Sequence, residues 1–287
     1  SNKMIPIIGT SMTKFGDLWE SSLSDLIKDA GLKALNDSGI KSSEVDICYI
    51  ANCFSSKSSG TEQLQSIAAE SIGIKNSVVV KGDISGSIAL QQAAESILSG
   101  KSKIVIVIGA EKLSDLKSDE VTELTKELID ENEAMNGSTL FANWAIIANS
   151  YSEQFGIKNS DMNIVPIINH KNAKENQYAK FHSEISDEKI ESSPYIAEPL
   201  RVMGCASLCD GACAVVMCSS DAAKSRKPKG FFVSGAVSFG TSALSKRKAL
   251  IHLDCAKEAF ESSISYAKIK KEQKKMFDGV ESITDFV

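Results

Sequence analysis

The sequence predicts an α/β protein whose parallel sheet is covered by helices on both faces. Short unbroken apolar runs alternate with longer segments in which apolar residues recur every three or four positions. The runs lack the in–out alternation of a strand with one wet face, as expected when both faces are buried. The helical segments stop at glycine, as at Gly39, Gly73 and Gly100.

Residues 5–9 (IPIIG) form the first predicted strand. A helix over 21–38 follows, with Leu23, Leu26, Ile27, Ala30, Ala34 and Leu35 on one face. Strands are predicted over 45–51, 77–80 and 104–109, and helices over 62–72 and 84–99. Residues 111–136 turn acidic and polar with few strand formers, which predicts an exposed helical excursion rather than a core element. Helices are expected over 141–151 and 160–176, the second disturbed at Pro166. Residues 194–201 read as a loop, 212–218 (ACAVVMC) as a buried strand, 220–225 as a short helix and 228–230 as a linker.

After the linker the opening pattern returns. Residues 231–240 (FFVSGAVSFG) match 7–16 (IIGTSMTKFG), and a predicted helix over 254–267 matches 21–38. Ile269-Lys270 match Ile40-Lys41, and Met276-Phe277 fall where Ile47-Cys48 fell. The chain thus carries about one and a half copies of one unit. An open parallel edge is a liability, so a missing or disordered tail is expected beyond Val287.

With 287 residues and 43% apolar composition, the chain suits a folded protein of one large domain or two fused halves. A net charge of -5 with no dense Lys/Arg stripe argues against nucleic acid as a partner. No run approaches the ~20 apolar residues of a membrane helix, and no secretory signal is visible. Ser1-Asn2 read as a cloning scar. The seven cysteines include no CxxC pair. Cys205, Cys209, Cys213 and Cys218 cluster without a nearby histidine, so reduced buried thiols in a cytoplasmic protein are expected rather than zinc.

The most informative stretch is Val78-Val79-Val80-Lys81-Gly82-Asp83-Ile84-Ser85-Gly86-Ser87, an apolar run meeting a Gly/Ser turn before an Ala-rich helix. Such a turn presents a side chain at a helix N-terminus, where the dipole stabilises an anion and lowers a thiol pKa. A nucleophilic Cys suits that place; the residue there is Asp83.

These residues resemble the thiolase superfamily, in its sterol-carrier-type and archaeal acetyl-CoA acetyltransferase-like branch. Met12-Thr13-Lys14-Phe15-Gly16 resembles the family's opening. Asp83-Ile84-Ser85-Gly86-Ser87 resembles the nucleophile turn Cys-Ala-Ser-Gly-Ser. Gly109-Ala110-Glu111-Lys112-Leu113-Ser114 resembles Gly-x-Glu-x-Met-Ser. Asn169-His170-Lys171-Asn172-Ala173, with Asn176 and Ala179, resembles a loop-domain segment. Ala197-Glu198-Pro199-Leu200 with Cys209-Asp210-Gly211-Ala212 resembles the segment ending Ser-Asp-Gly-Ala.

The resemblance implies an αβαβα layered fold of two similar halves with an inserted loop domain, the second half incomplete in this sequence. It divides the chain into a first half (3–114), a loop domain (115–211), completion of the first half (212–227) and a partial second half (228–287). It implies dimers or tetramers and Claisen or thiolytic chemistry on acyl-CoA. In that chemistry one Cys takes the acyl group, a His activates it, a second Cys moves the α-proton and oxyanion holes stabilise the intermediates.

The chain departs from the pattern at three places. Asp83 stands at the acyl-accepting position. Val280 falls where a His-Asp-x-Phe histidine belongs, and a shift onto Asp285-Phe286 supplies no His. The segments with Gly-His-Pro and the second Cys are absent. The resemblance therefore implies an acyltransferase homologue impaired or inactive in thiolysis, binding coenzyme A or acyl-CoA without any covalent cofactor. One alternative is a non-catalytic subunit pairing with an active thiolase-like chain or an acyl-CoA-binding zinc-ribbon/OB-type protein. The other is an acyltransferase or decarboxylase using Asp83.

Each candidate residue carries a plainer reading. Asp83 acts as a base or as the mimic of an acylated or oxidised Cys, or it is a helix N-cap. A helix dipole lowers a carboxyl pKa, which weakens a base near neutral pH. His170 shapes the substrate pocket or the loop-domain contact, or is structural. Cys205 in Gly204-Cys205-Ala206-Ser207 echoes the missing turn or sits in the core. Ser85 and Ser87 have no His partner in sequence and read as first-turn residues. His182 and His252 carry no motif. Lys171, Lys174 and Lys180 meet the phosphates of coenzyme A or form a solvated helix face. No nucleotide-binding glycine motif is present.

Overall fold

The structure is a computed structural model and describes residues 4–233 and 243–267. These fall into two compact units. One gathers residues 4–115, 209–233 and 258–267; the other gathers 116–208 and 243–257.

The first unit is built on a six-stranded sheet among the described residues. Strand β1 (Met4–Met12) leads into helix α1 (Leu23–Ser38). Ser22 caps α1: its Oγ accepts the Asp25 N–H while Asp25 accepts the Ser22 N–H, the reciprocal box that starts a helix. Gly39, at φ 68°, ends α1 in the left-handed conformation that glycine adopts without penalty. Strand β2 (Ile47–Asn52), short helix α2 (Ser55–Ser58), helix α3 (Leu64–Ile72), strand β3 (Ser77–Lys81), helix α4 (Ser85–Leu98) and strand β4 (Ile104–Glu111) follow. The expected strands and helices of this stretch are all present, with ends shifted by a few residues.

Apolar side chains of the strands alternate between two cores. Ile50, Ile106, Ile108 and Val216 face α1 and α3 with Ile8, Leu26 and Ile27. Tyr49, Val105, Val107 and Met217 face α4 with Ala89, Ala93 and Ile97. Each fully buried aliphatic side chain contributes about 1.5–3 kcal/mol. Gly31 lets α1 come close: a Cβ there would lie 2.9 Å from Ile72 and 3.1 Å from Ile108.

The sheet is mixed, which corrects the expectation of a parallel one. The strand order is β3-β2-β4-β7-β1-β8, with β7 spanning Gly211–Cys218 and β8 spanning Gly230–Val233. Only β3, β2 and β4 run parallel. Strand β7 lies antiparallel between β4 and β1, and β8 antiparallel on β1. Helical crossovers through α3 and α4 keep β2, β3 and β4 parallel. No such crossover links β4 to β7: residues 116–208 intervene as a separate unit, which leaves the strand free to return in the opposite sense. The opening of the repeated segment, residues 231–233, thus extends the first sheet. Residues 234–242, Ile269-Lys270 and Met276-Phe277 of the repeat lie outside the described residues, as do Val280 and Asp285-Phe286.

Buried Asp210 ties the ends of β4 and β7 to the loop after β1. Its carboxylate accepts the N–H groups of Leu18, Leu113 and Ser114, the Ser114 hydroxyl at 2.5 Å and the Lys112 ammonium at 2.9 Å. The Lys112 ammonium also meets Asp115 at 2.9 Å and lies 5.7 Å from the ring centroid of Trp19.

The second unit holds helices α5 (Ser118–Thr125), α6 (Glu131–Met135), α7 (Leu140–Phe155), α8 (Ile164–Ala173) and α9 (Asp187–Glu191). Strands β5 (Tyr195–Ala197) and β6 (Leu200–Arg201) pair as a ribbon where a loop was expected. Helix α5 buries Val121 and Leu124, so the acidic excursion is not wholly exposed. A 3₁₀ turn over Asn159–Asn163 precedes α8, which places Pro166 in the first α-helical turn. Proline is tolerated there because its missing N–H would lack an intrahelical partner anyway. In the first unit, the helix expected over 220–225 is instead a run of turns. Helix α10 spans Asp254–Ala267, as expected.

Candidate functional site

Strands β3, β2 and β4 end side by side with polar residues, where ligands of open α/β sheets are bound. At the end of β3, Gly82 at φ 125° makes the sharp exit that an L side chain adopts only with strain. Asp83 follows, exposed, its Oδ1 2.9 Å from the Ile84 N–H. The N-cap of α4 is Ile84, so Asp83 stands one residue ahead of the capping position and does not fill it. Ser85 is buried and its N–H meets the Gly82 carbonyl at 3.2 Å; Ser87 is exposed. The carboxylate thus sits before the positive end of a 14-residue helix.

The neighbouring strand ends supply groups that sequence reasoning did not single out. Asn52, the last residue of β2, donates to the Ala110 carbonyl at 2.9 Å and to Glu111 at 3.0 Å. Its Oδ1 accepts the Ser55 N–H at 2.8 Å and the Lys81 ammonium at 3.1 Å. Lys81 also donates to Ser55 at 2.5 Å and pairs with Glu62 at 3.3 Å. Glu111 accepts the N–H groups of Cys53 and Phe54 at 2.8 and 3.3 Å. Burial pushes the Glu111 carboxyl up, against the pull of those bonds and of the Lys81 charge. The Cys53 thiol is pushed up to about 11, by burial first and then by the Glu111 and Asp83 charges. Cys53 is therefore a protonated thiol at neutral pH. The available signal was position: Cys53, Lys81 and Glu111 each follow or end a predicted strand.

The other candidates have local partners. His170, in α8, places Nδ1 3.0 Å from the Ser183 carbonyl, and its ring stacks on Phe181 at 6.0 Å. Lys174 pairs with Glu184 at 2.9 Å, and Lys180 donates to the Leu208 carbonyl at 2.7 Å. Lys171 is exposed, as are His182 and His252. Cys205 is half-buried, and burial raises its thiol pKa. Cys209 and Cys213 are half-buried and Cys218 is buried. Among the described residues, no three His, Cys, Asp or Glu side chains group as a metal site. Nor is any helix long and apolar enough to cross a membrane.

The Thiolase, N-terminal domain family matches residues 5–221. An acetyl-CoA acetyltransferase of Methanocaldococcus jannaschii is 34% identical over 272 residues, covering 93% of this chain and 69% of that protein. Among solved structures, the Ltp2-ChsH2(DUF35) aldolase matches with a TM-score of 0.76 at 20% identity, over 94% of this chain and 71% of that one. Human mitochondrial 3-ketoacyl-CoA thiolase in complex with CoA matches with a TM-score of 0.69 at 15% identity, over 91% and 75%. At these identities the two structures speak for the fold alone.

Proposed function

The chain belongs to the thiolase family, and from that premise we propose that it is an acyl-CoA-binding acyltransferase homologue unable to run ordinary thiolysis or Claisen condensation. One observation carries this reading. The exposed side chain at the β3–α4 turn is the carboxylate of Asp83, not a thiol. A carboxylate attacks a thioester poorly and would form a labile anhydride, so the covalent route through an acylated sulfur is closed at residue 83. Cys53 does not replace it, since a thiol with a pKa of about 11 is almost wholly protonated at neutral pH. Coenzyme A is the ligand; the exposed ammonium of Lys171 and the lysines near it are candidate phosphate partners, and His170 is a candidate pocket residue. The two-half organisation and a homodimeric or homotetrameric assembly belong to the same proposal.

A second reading is a subunit that works beside another chain. It is favoured by α8, whose ten residues include no buried side chain although Ile164, Val165, Ile167 and Ile168 are apolar. The Ltp2-ChsH2(DUF35) aldolase, a structural neighbour, is itself named as two components. The partner would be an active thiolase-like chain or a zinc-ribbon/OB-type protein.

The test incubates the purified chain with CoA, acetyl-CoA and acetoacetyl-CoA, measuring affinity by calorimetry, turnover by thioester absorbance and adducts by intact mass. Binding without turnover or adduct is expected. A thioester adduct formed over repeated turnovers overturns the proposal. Turnover lost in Asp83→Ala, with no adduct, would assign Asp83 an acid–base role. Failure to bind CoA with stable co-purification of a second chain would favour the subunit reading.

A further inference from the structure

One residue from each of three neighbouring parallel strands meets under the Asp83 turn. Asn52 and Lys81 are direct register partners on β2 and β3, and Glu111 lies at the end of β4. The Asn52 backbone carbonyl accepts the Gly82 N–H at 3.2 Å, and the Gly82 carbonyl accepts the Ser85 N–H at 3.2 Å. A continuous hydrogen-bonded path therefore runs from β4 to the first turn of α4.

The path has a fixed polarity. Asn52 is 3% exposed, its NH₂ facing the Glu111 carboxylate and its oxygen facing Lys81 and the Ser55 N–H. Turning the amide over would set two donors against Lys81 and the Ser55 N–H and an oxygen against a carboxylate, so only one orientation satisfies both neighbours. The acceptor at 111 thus decides which way Asn52 points, and Asn52 in turn holds Lys81 and Gly82.

We propose that Glu111 is a positioning residue for the Asp83 turn, acting through Asn52 and Lys81. Its consequence for ligand affinity rests on the reading of that turn as the acyl-CoA site; its consequence for the turn itself does not. Glu111→Gln keeps the shape and removes a half-buried charge, so the sheet is retained. Because the Cys53 and Phe54 N–H groups both donate to the other carboxylate oxygen, the Gln oxygen stays with them and its NH₂ faces the Asn52 NH₂, which breaks the path at its first link. The double variant Asn52→Asp/Glu111→Gln restores a donor–acceptor pair with the polarity of that link reversed and the total charge unchanged. The Ala110 carbonyl loses its donor, so recovery is partial.

The experiment is hydrogen exchange read by mass spectrometry on wild type, Glu111→Gln, Lys81→Met and the double variant, with CoA titrated into each. Exchange over residues 82–88 is expected to rise about tenfold in Glu111→Gln and Lys81→Met, with α1 unchanged, and to fall back at least halfway on a logarithmic scale in the double variant. Affinity for CoA should weaken by about tenfold in Glu111→Gln and follow the same recovery. Unchanged exchange at 82–88, exchange raised throughout the sheet unit, or no recovery in the double variant overturns the proposal. If wild type itself does not bind CoA, the functional reading fails, and the exchange pattern alone decides the role of Glu111.

Discussion

Lys112 and Asp210 form an ion pair at 2.9 Å whose side chains are 2% and 0% exposed. Burial opposes charge on both. For Asp210 it is outweighed by the Ser114, Lys112 and Leu113 bonds, and the carboxyl falls to about 2. For Lys112 it is outweighed by Asp115 and Asp210, and the ammonium is held above its ordinary range.

Removing one partner leaves the other buried and uncompensated. Asp210→Ala is expected to cost about 3–5 kcal/mol, read as a lowered urea midpoint. Because the folded pKa of Asp210 lies below its unfolded value, its contribution is fully present above about pH 4 and is lost as pH falls through about 2. Wild type should therefore lose stability steeply over that acid window, and Asp210→Asn should show a flatter profile.

Glu111 has the opposite sign. Burial raises its folded pKa, so its contribution is present below the ordinary carboxylate value and lost as pH rises through the raised one. Stability measured by denaturant titration should fall with pH across that window in wild type. In Glu111→Gln this slope should vanish.

Cys53 reports the same charges. Its thiol is held up by burial and by Glu111 and Asp83, with Lys81 opposing. Alkylation by iodoacetamide at pH 8, followed at the Cys53 peptide, should be slow in wild type and faster in Asp83→Asn. Lys81→Met should slow it further. The thiolate fraction sets the direction in each case.

Close packing of α1 on β1 depends on Gly9. A Cβ there would lie 2.5 Å from the Ala34 carbonyl oxygen and 2.6 Å from the Ser38 Cβ. Gly9→Ala should destabilise by about 1–3 kcal/mol or more, because backbone must move. Gly31→Ala should cost less, since the atoms in its way are side-chain methyls of Ile72 and Ile108 at 2.9 and 3.1 Å rather than backbone. Thermal midpoints of the two variants check the order.

Local patterns carried most of the sheet unit. The Val/Ile runs, the three-to-four apolar spacing and the glycine stops placed β1 to β4 and α1, α3 and α4, because each depends on neighbours within a few residues, whereas the four-residue α2 had no such pattern. Strand direction was not legible. The sense of β7 follows from how the chain returns after residues 116–208, and periodicity carries no record of that. The Asp83 turn was legible because its glycines and serines are contiguous. The groups beneath it were not: Asn52, Lys81 and Glu111 are brought together by strand register over 59 residues of sequence. The N-cap reading of Asp83 missed by one position, because Gly82 turns the chain so that the helix begins after Ile84.

The place of β1 in the sheet has a consequence for synthesis. Its two ladder partners are β7 and β8, and Thr13, the residue after β1, exchanges hydrogen bonds with Ala212 of β7, 199 positions away. At about 5–20 residues per second, the N-terminal segment must wait roughly 10–40 s for its mates to leave the ribosome. Through that interval Ile5 and Ile8 have no sheet to join, which makes the newborn β1 segment a natural client for holding chaperones and the insertion's return strand the event that releases it.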